Sequence, residues 1–174
     1  MATMVEPAST ATAVLAEFRE EAAITKRTLD RVPGDKLTWK PHQKSMSLGQ
    51  LALHIATVPG NLARILQQDS FDLAERPFEA PSPRNREEIL SAYQQSVQSG
   101  EQFLSGLTAQ QANAMWHLRK NNKELFARPR IEVVRTIMLN HWYHHRGQLS
   151  VYLRLLEVPV PVIYGRSADE DPFA

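Results

Sequence analysis

The sequence predicts an all-α protein folded as a four-helix bundle. Apolar residues recur at steps of three and four in four long segments, which is the period of a helix with one buried face. Capping residues precede several of these segments, and proline or glycine follows them. We find no strand pattern and no internal repeat. A length of 174 residues suits one compact core, so we expect a single domain over residues 1–174.

The first helix is predicted over about Thr10 to Arg31. Phe18 and Leu29 belong to its apolar stripe, which continues at steps of three and four. Pro33 and Gly34 end it, because proline cannot continue a helix and glycine relaxes the turn that follows.

The second helix is predicted to begin near Ser47. Ser47 and Gln50 have the spacing of a capping box, in which each side chain satisfies the other residue's free backbone N–H group. His54 falls on the apolar stripe of this helix. Pro59 lies inside the helix, where it should produce a kink and free the backbone carbonyl of Ile55, next to His54.

Two loops and two further helices follow. We predict a long loop over 69–83, a helix from Asn85 to about Gly106, and a short helix from Thr108 to about Met115. The residues between the short helix and the last one are interpreted as a basic loop. It contains five cationic side chains, at Arg119, Lys120, Lys123, Arg128 and Arg130. They form either a solvated surface or a rim that attracts an anionic substrate.

The last long helix is predicted over about Arg130 to Glu157. His141 and His145 fall on its inward stripe, among apolar residues at helical spacing. Pro159 and Pro161 prevent the helix from continuing.

Composition excludes several classes of function. The net charge of +1, with acidic and basic residues mixed, gives no basic face for nucleic acid. The chain has no cysteine, so disulfides and thiolate ligands are impossible and any thiol must come from outside. Residues 1–9 do not resemble a signal peptide, and no apolar run is long enough to span a membrane. We therefore expect a cytoplasmic protein with neither nucleic acid nor a membrane as its partner.

Three histidines form a candidate metal site. His141 and His145 are four residues apart and therefore lie one turn apart on the same helical face, and His54 lies on a second inward stripe. Burying three imidazoles is costly unless they have partners, and a shared metal ion would supply one. Three nitrogen ligands and one open position are typical of catalytic zinc, whose bound water has a lowered pKa. Alternatively, these histidines are structural. A zinc-protease helix is excluded, since Trp142 replaces the required glutamate.

The neighbours of this pair have more than one interpretation. His144 is one step away from the inward face, so we interpret it as a helix contact or an outer group rather than a ligand. Arg146 and Gln148 are either surface polar residues or groups that orient a ligand histidine or a substrate. His42 and His117 are interpreted as surface residues.

The run from His141 to Gln148 resembles the H-x-x-H-H-R-G-Q signature of the DinB-like (YfiT-like) family of metal-dependent enzymes. The segments at 37–41, 47–51 and 53–56, and the ending from Pro159 onwards, resemble other landmarks of the family. The resemblance covers nearly the whole chain. It implies a four-helix bundle, often homodimeric, which holds a divalent metal.

The resemblance also implies the ligands and a chemistry. Matched position by position, the ligands are His54, His141 and His145, and zinc or nickel is the expected ion, although imidazole also suits copper and iron. Many relatives have glutamate at the position of Trp142. Characterised relatives include thiol S-transferases that use low-molecular-weight bacterial thiols, and a thiol-dependent isomerase.

Three functions are compatible with the sequence. The leading hypothesis is a metal-dependent enzyme that transfers an exogenous low-molecular-weight thiol to a small electrophile, with the metal making the thiol nucleophilic at neutral pH. The basic loop over 119–130 would then meet an acidic thiol. The second hypothesis is hydrolysis by metal-bound hydroxide, with His144 or Glu132 as a guess for the proton shuttle. The third is a non-catalytic stress protein that binds a metal or another ligand.

Overall fold

The computed structural model describes residues 10–75 and 80–173, and four long helical segments dominate it. The first three are α1 (Thr10–Leu29), α2 (Leu48–Leu66) and α3 (Arg86–Ser105). The fourth runs from Arg130 to Leu155, and the short helix α4 (Ala109–Asn113) precedes it. The predicted all-α bundle is confirmed in its main features, since most of the chain is helical and the four segments pack around one core.

The predicted helix starts are confirmed by their caps. At the start of α2, the backbone N–H of Gln50 donates to Ser47 Oγ at 3.2 Å, and the Ser47 N–H donates to Gln50 Oε1 at 2.9 Å. The same box forms between Thr108 and Gln111 at the start of α4. Both boxes satisfy backbone donors that the helix itself leaves free.

A small sheet contradicts the prediction of a chain without strands. It comprises β1 (Ser70–Asp72), β2 (Met115–Lys120) and β3 (Lys123–Pro129). Strands β1 and β2 are parallel, whereas β2 and β3 form an antiparallel hairpin. Both predicted loops, over 69–83 and 119–130, therefore contain strands. Residues 76–79 of the first predicted loop lie outside the residues that the structure describes. Residues 1–9, where we expected no signal peptide, also lie outside them.

The hairpin has a specific turn and a specific anchor. Asn121 and Asn122 connect the strands with φ angles of 51° and 62°, a left-handed conformation that asparagine tolerates better than most residues. The Asp72 carboxylate accepts their backbone N–H groups at 3.0 and 2.7 Å. These bonds attach the turn to β1.

The last helical segment is not one uniform helix. It comprises α5 (Arg130–Val133), a π-helical turn (Val134–Asn140) and α6 (His141–Leu155). A π-helical turn contains more residues than an α-helical one, so it shifts the face that later side chains present. Trp142 and Leu149 accordingly face the core and are fully buried. His141 and His145 lie beside them, half-buried at the edge of the core.

The core lies between the long helices. Phe18 of α1, Ile55 of α2 and Trp142 of α6 are fully buried within it. Helices α2 and α3 approach closely at Gly60, where an added Cβ atom would lie 2.9 Å from the Ser96 Cα atom. Among the described residues, no helix combines the length and apolar character that crossing a membrane requires.

The C-terminal segment, residues 158–173, folds back on the bundle. Glu170 forms ion pairs with Arg27 and Arg31 of α1, both at 2.6 Å. Asp169 forms another with Arg154 of α6. The segment therefore joins the first helix to the last.

Candidate metal centre

His54, His141 and His145 lie together where α2 passes α6. Each offers a ring nitrogen, and these three atoms lie within 4.8 Å of one another. The Nε2 atoms of His141 and His145 are 2.6 Å apart, and those of His54 and His141 are 3.3 Å apart. Zinc–nitrogen bonds of about 2.0–2.1 Å in a tetrahedral site place two ligand nitrogens about 3.3 Å apart. The donor set therefore fits a metal ion after a small opening of the closest pair.

The electrostatics of the cluster favour neutral imidazoles. Burial, followed by the neighbouring His145 and His141, lowers the pKa of His54 to about 4. Burial also lowers the pKa values of His141 and His145 from their ordinary value. At neutral pH all three rings therefore have an available lone pair, which is the form that binds a metal.

Two outer contacts orient the rings. His145 Nδ1 lies 2.7 Å from Gln148 Oε1, and because an amide oxygen can only accept, the proton resides on Nδ1 and the lone pair on Nε2. The His141 ring forms a hydrogen bond with the backbone of Ile137, which lies in the π-helical turn. Of the two interpretations of Gln148, the contact supports the one in which it orients a ligand histidine.

Arg146 matches neither of its interpretations. It is 1% exposed and contacts α1, where it donates to Thr25 Oγ1 at 2.9 Å and to the Glu21 carbonyl at 3.2 Å. It also forms an ion pair with the Glu21 carboxylate at 2.5 Å, and it lies over the rings of Tyr143 and Tyr164. Arg146 is therefore a buried link between α6, α1 and the C-terminal segment.

The other histidines lie outside the cluster. His144 is exposed, and its ring centre is 5.0 Å from that of His145. It is not one of the three histidines whose ring nitrogens lie within 4.8 Å of one another. His42 is also exposed, as expected. His117 is on β2, where its Nδ1 lies 2.6 Å from a carboxylate oxygen of Glu124 on β3.

The basic residues belong to the hairpin and to the start of the last helical segment. Arg130 is not a rim residue, because it is 4% exposed, pairs with Asp69 at 2.7 Å and donates to the Gln111 carbonyl at 2.6 Å. Arg128 lies over the ring of Phe126. These contacts stabilise the hairpin end of the bundle.

Sequence reasoning missed the role of Trp142. Its indole Nε1 donates to the Ile55 carbonyl at 2.9 Å, so the carbonyl that Pro59 frees in α2 has a partner in α6. A signal was present in the sequence, since a proline four residues after Ile55 implies that this carbonyl needs a donor. The sequence did not indicate which residue would supply it.

Solved structures with similar folds are DinB-like proteins. One, from Bacillus subtilis (YjoA), has 19% sequence identity and a TM-score of 0.68, and the match covers 88% of this chain and 99% of that chain. Another, from Bacillus cereus, has 22% identity and a TM-score of 0.67, with coverage of 87% and 95%. No curated protein sequence matches the chain. The DinB family profile matches residues 4–171, and the chain therefore belongs to the DinB family.

Proposed function

We propose that His54, His141 and His145 are the ligands of a divalent metal ion, zinc or nickel, and that the protein is a metal-dependent enzyme acting on small molecules. The observation that supports this most directly is the convergence of three ring nitrogens within 4.8 Å. The lowered pKa values of the same rings add to it, because protonated imidazoles do not bind metals. Membership of the DinB family is consistent with the proposal.

The reaction we propose is the transfer of a low-molecular-weight thiol to an electrophile. A divalent ion, when bound, lowers the pKa of a thiol that reaches it and so favours the nucleophilic thiolate. The chain supplies three neutral nitrogen donors, and Gln148 keeps the proton of His145 on Nδ1, away from the cluster. Since the sequence contains no cysteine, the thiol in this proposal is a second substrate from solution.

Elemental analysis of tag-free protein tests the metal site. We expect about one zinc or nickel ion per chain, and loss of that ion in His54→Ala and in His145→Ala. His42→Ala is the matched control, because it also removes one imidazole but at an exposed position outside the cluster. Wild-type protein that takes up no metal, even after loading with zinc or nickel, would contradict the proposal.

An assay of the metal-loaded protein tests the reaction. Bacterial thiols are combined with a broad panel of electrophiles, and conjugation should require both the metal and the thiol. Turnover of ester or amide substrates without any thiol would replace this proposal by metal-dependent hydrolysis. A loaded protein that accelerates nothing, and whose metal has no exchangeable position, would be a non-catalytic binding protein.

The family resemblance also leads us to propose a cytoplasmic homodimer formed by one domain per chain. Light scattering after size-exclusion chromatography should then give twice the mass of one chain. A monomer at micromolar concentration would contradict the dimer without affecting the metal site.

A further inference from the structure

Helix α2 has a backbone defect one residue after His54. Pro59 has no N–H group, so it cannot donate to the carbonyl of Ile55 four residues earlier, although the helix continues through both residues. Ile55 is fully buried, and a buried carbonyl without a donor is costly. The fold must therefore provide a donor from elsewhere.

Two backbone groups of this turn have partners on other helices. The Ile55 carbonyl accepts from Trp142 Nε1 of α6 at 2.9 Å, and the Gly60 N–H donates to Ser96 Oγ of α3 at 2.8 Å. In a regular helix the Ile55 carbonyl would accept from the backbone N–H of residue 59, so it would not depend on the indole. The proline thus exchanges a bond within α2 for a bond between helices.

The position of the new bond relates it to the histidine cluster. Ile55 directly follows His54, and Trp142 directly follows His141, so the bond joins the two helices next to two of the three histidines. The indole is itself fixed, because it is fully buried and stacks on Phe18 at a ring-centre distance of 5.5 Å. Hydrogen bonds give a direct distance constraint of about 2.9 Å, which apolar packing alone does not.

We propose that Trp142 is a positioning residue for the three-histidine site, and that Pro59 enables this role by releasing the Ile55 carbonyl. The inference rests on the proposed metal binding by these histidines. The bond holds His54 at a fixed distance from His141 and His145 before any ion is bound. Trp142 does not itself touch the ion or the substrate.

A set of three variants separates positioning from ordinary stability. Trp142→Phe removes the donor and keeps an aromatic ring, so the Ile55 carbonyl becomes unsatisfied. The unfolding equilibrium constant should rise about tenfold or more, measured by urea denaturation of metal-free protein. Adding Pro59→Ala restores a backbone N–H within α2, so the double variant should regain much of that stability. Pro59→Ala alone is the reference for the double variant.

Zinc affinity separates the two roles of Trp142. If the role were only structural, zinc affinity would recover together with stability. Competition with a chromophoric chelator should show binding about tenfold to a hundredfold weaker in Trp142→Phe, as is typical when an outer contact of a metal site is lost. The same loss should persist in the double variant although its stability has recovered. The cobalt-loaded forms should show a matching change in their visible spectra.

Trp116→Phe is the matched control. Trp116 is also buried, at 2% exposure, but its indole nitrogen has no hydrogen-bond partner within residues 10–75 and 80–173, so the substitution removes the same volume without removing a bond seen there. Its zinc affinity should equal that of the wild type.

Each outcome has one meaning. A double variant that binds zinc as tightly as the wild-type protein would overturn the positioning role, while leaving the metal site intact. The same weakening in Trp116→Phe would also overturn it, because lost volume would then be the cause. Wild-type protein that binds no zinc would refute the proposed function itself, and the positioning role with it.

Discussion

Replacing Arg146 by methionine should destabilise the protein far more than removing any exposed ion pair. Arg146 is 1% exposed, and its guanidinium pairs with the Glu21 carboxylate, which belongs to a residue only 8% exposed. It also donates to Thr25 Oγ1 and to Tyr164 Oη. Methionine fills a similar volume but leaves the carboxylate of Glu21 without its counter-charge.

The magnitude follows from this burial. Removing one partner of a buried ion pair costs about 3–5 kcal/mol, because the remaining charge has lost both water and its partner. Arg146 also lies 5.2 and 5.0 Å from the ring centres of Tyr143 and Tyr164, and each contact adds about 0.5–1 kcal/mol. Since a domain has about 5–15 kcal/mol in total, Arg146→Met should remove about a quarter of the stability or more.

Urea denaturation followed by circular dichroism measures this loss. Arg154→Met is the matched control, because Arg154 pairs with Asp169 while its side chain is 48% exposed. That variant should lose far less stability than Arg146→Met, because solvent screens an exposed ion pair. The double variant Glu21→Leu with Arg146→Met should recover much of the loss, since no buried charge remains.

A clear result would refute this reasoning. If Arg146→Met and Arg154→Met lose the same free energy of unfolding within about 1 kcal/mol, then the burial of the Arg146–Glu21 pair has no special energetic effect. If Glu21→Leu with Arg146→Met is less stable than Arg146→Met alone, then packing rather than the unpaired charge determines the loss of stability at this position.

Three further predictions concern the cluster and the helix that contains His54. Gln148→Leu should weaken zinc binding about tenfold to a hundredfold, measured by chelator competition, because His145 loses the acceptor that fixes its proton; unchanged affinity would contradict this role. Metal-free protein should lose stability as the pH falls from 6.5 towards 4. The pKa of His54 is about 4 in the folded chain and 6.5 ordinarily, so in this range the unfolded chain binds more protons than the folded one. A melting temperature that stays constant over this range would contradict the prediction. Ser47→Ala should cost about 1 kcal/mol in urea denaturation, and Ser47→Thr much less, since threonine retains the capping oxygen; equal losses would exclude the cap as the cause.

The helices and their starts were predictable because their signals are local. A capping box needs residues three apart, as at Ser47 and Gln50, and a buried face repeats every three or four residues. His141 and His145 belong to the same class of signal. The proximity of His54 followed from its place on a second inward stripe.

The sheet was not predictable in the same way. Strand β1 has three residues, too few for an alternating pattern, and its pairing with β2 joins Ser70 to His117, distant in sequence. The hairpin strands are rich in charged residues, which are typical of a loop. The Asn121-Asn122 pair, which tolerates the left-handed conformation of this turn, is a local signal of the hairpin.

The partners of Arg146 and Trp142 lie beyond local patterns as well. Glu21 is 125 residues from Arg146, and Ile55 is 87 residues from Trp142. Periodicity placed the helix that contains both residues, but it could not indicate the π-helical turn that precedes them. That turn determines which side chains of α6 enter the core and which remain at its edge with the histidines.

The π-helical turn at Val134–Asn140 gives the last helical segment room to become shorter by one residue. A π-helical turn contains more residues than an α-helical one, so the segment can lose one residue by closing into a regular α-helix. The helix on either side would then keep nearly its present rotation, and His141 and His145 would stay on the side that faces His54. A residue added to the regular part of α6 before His145 would instead rotate the helix beyond it by about 100°, because an α-helix has 3.6 residues per turn. Along this stretch of the gene, a gain of three nucleotides after the turn should therefore be far more damaging than a loss of three within it.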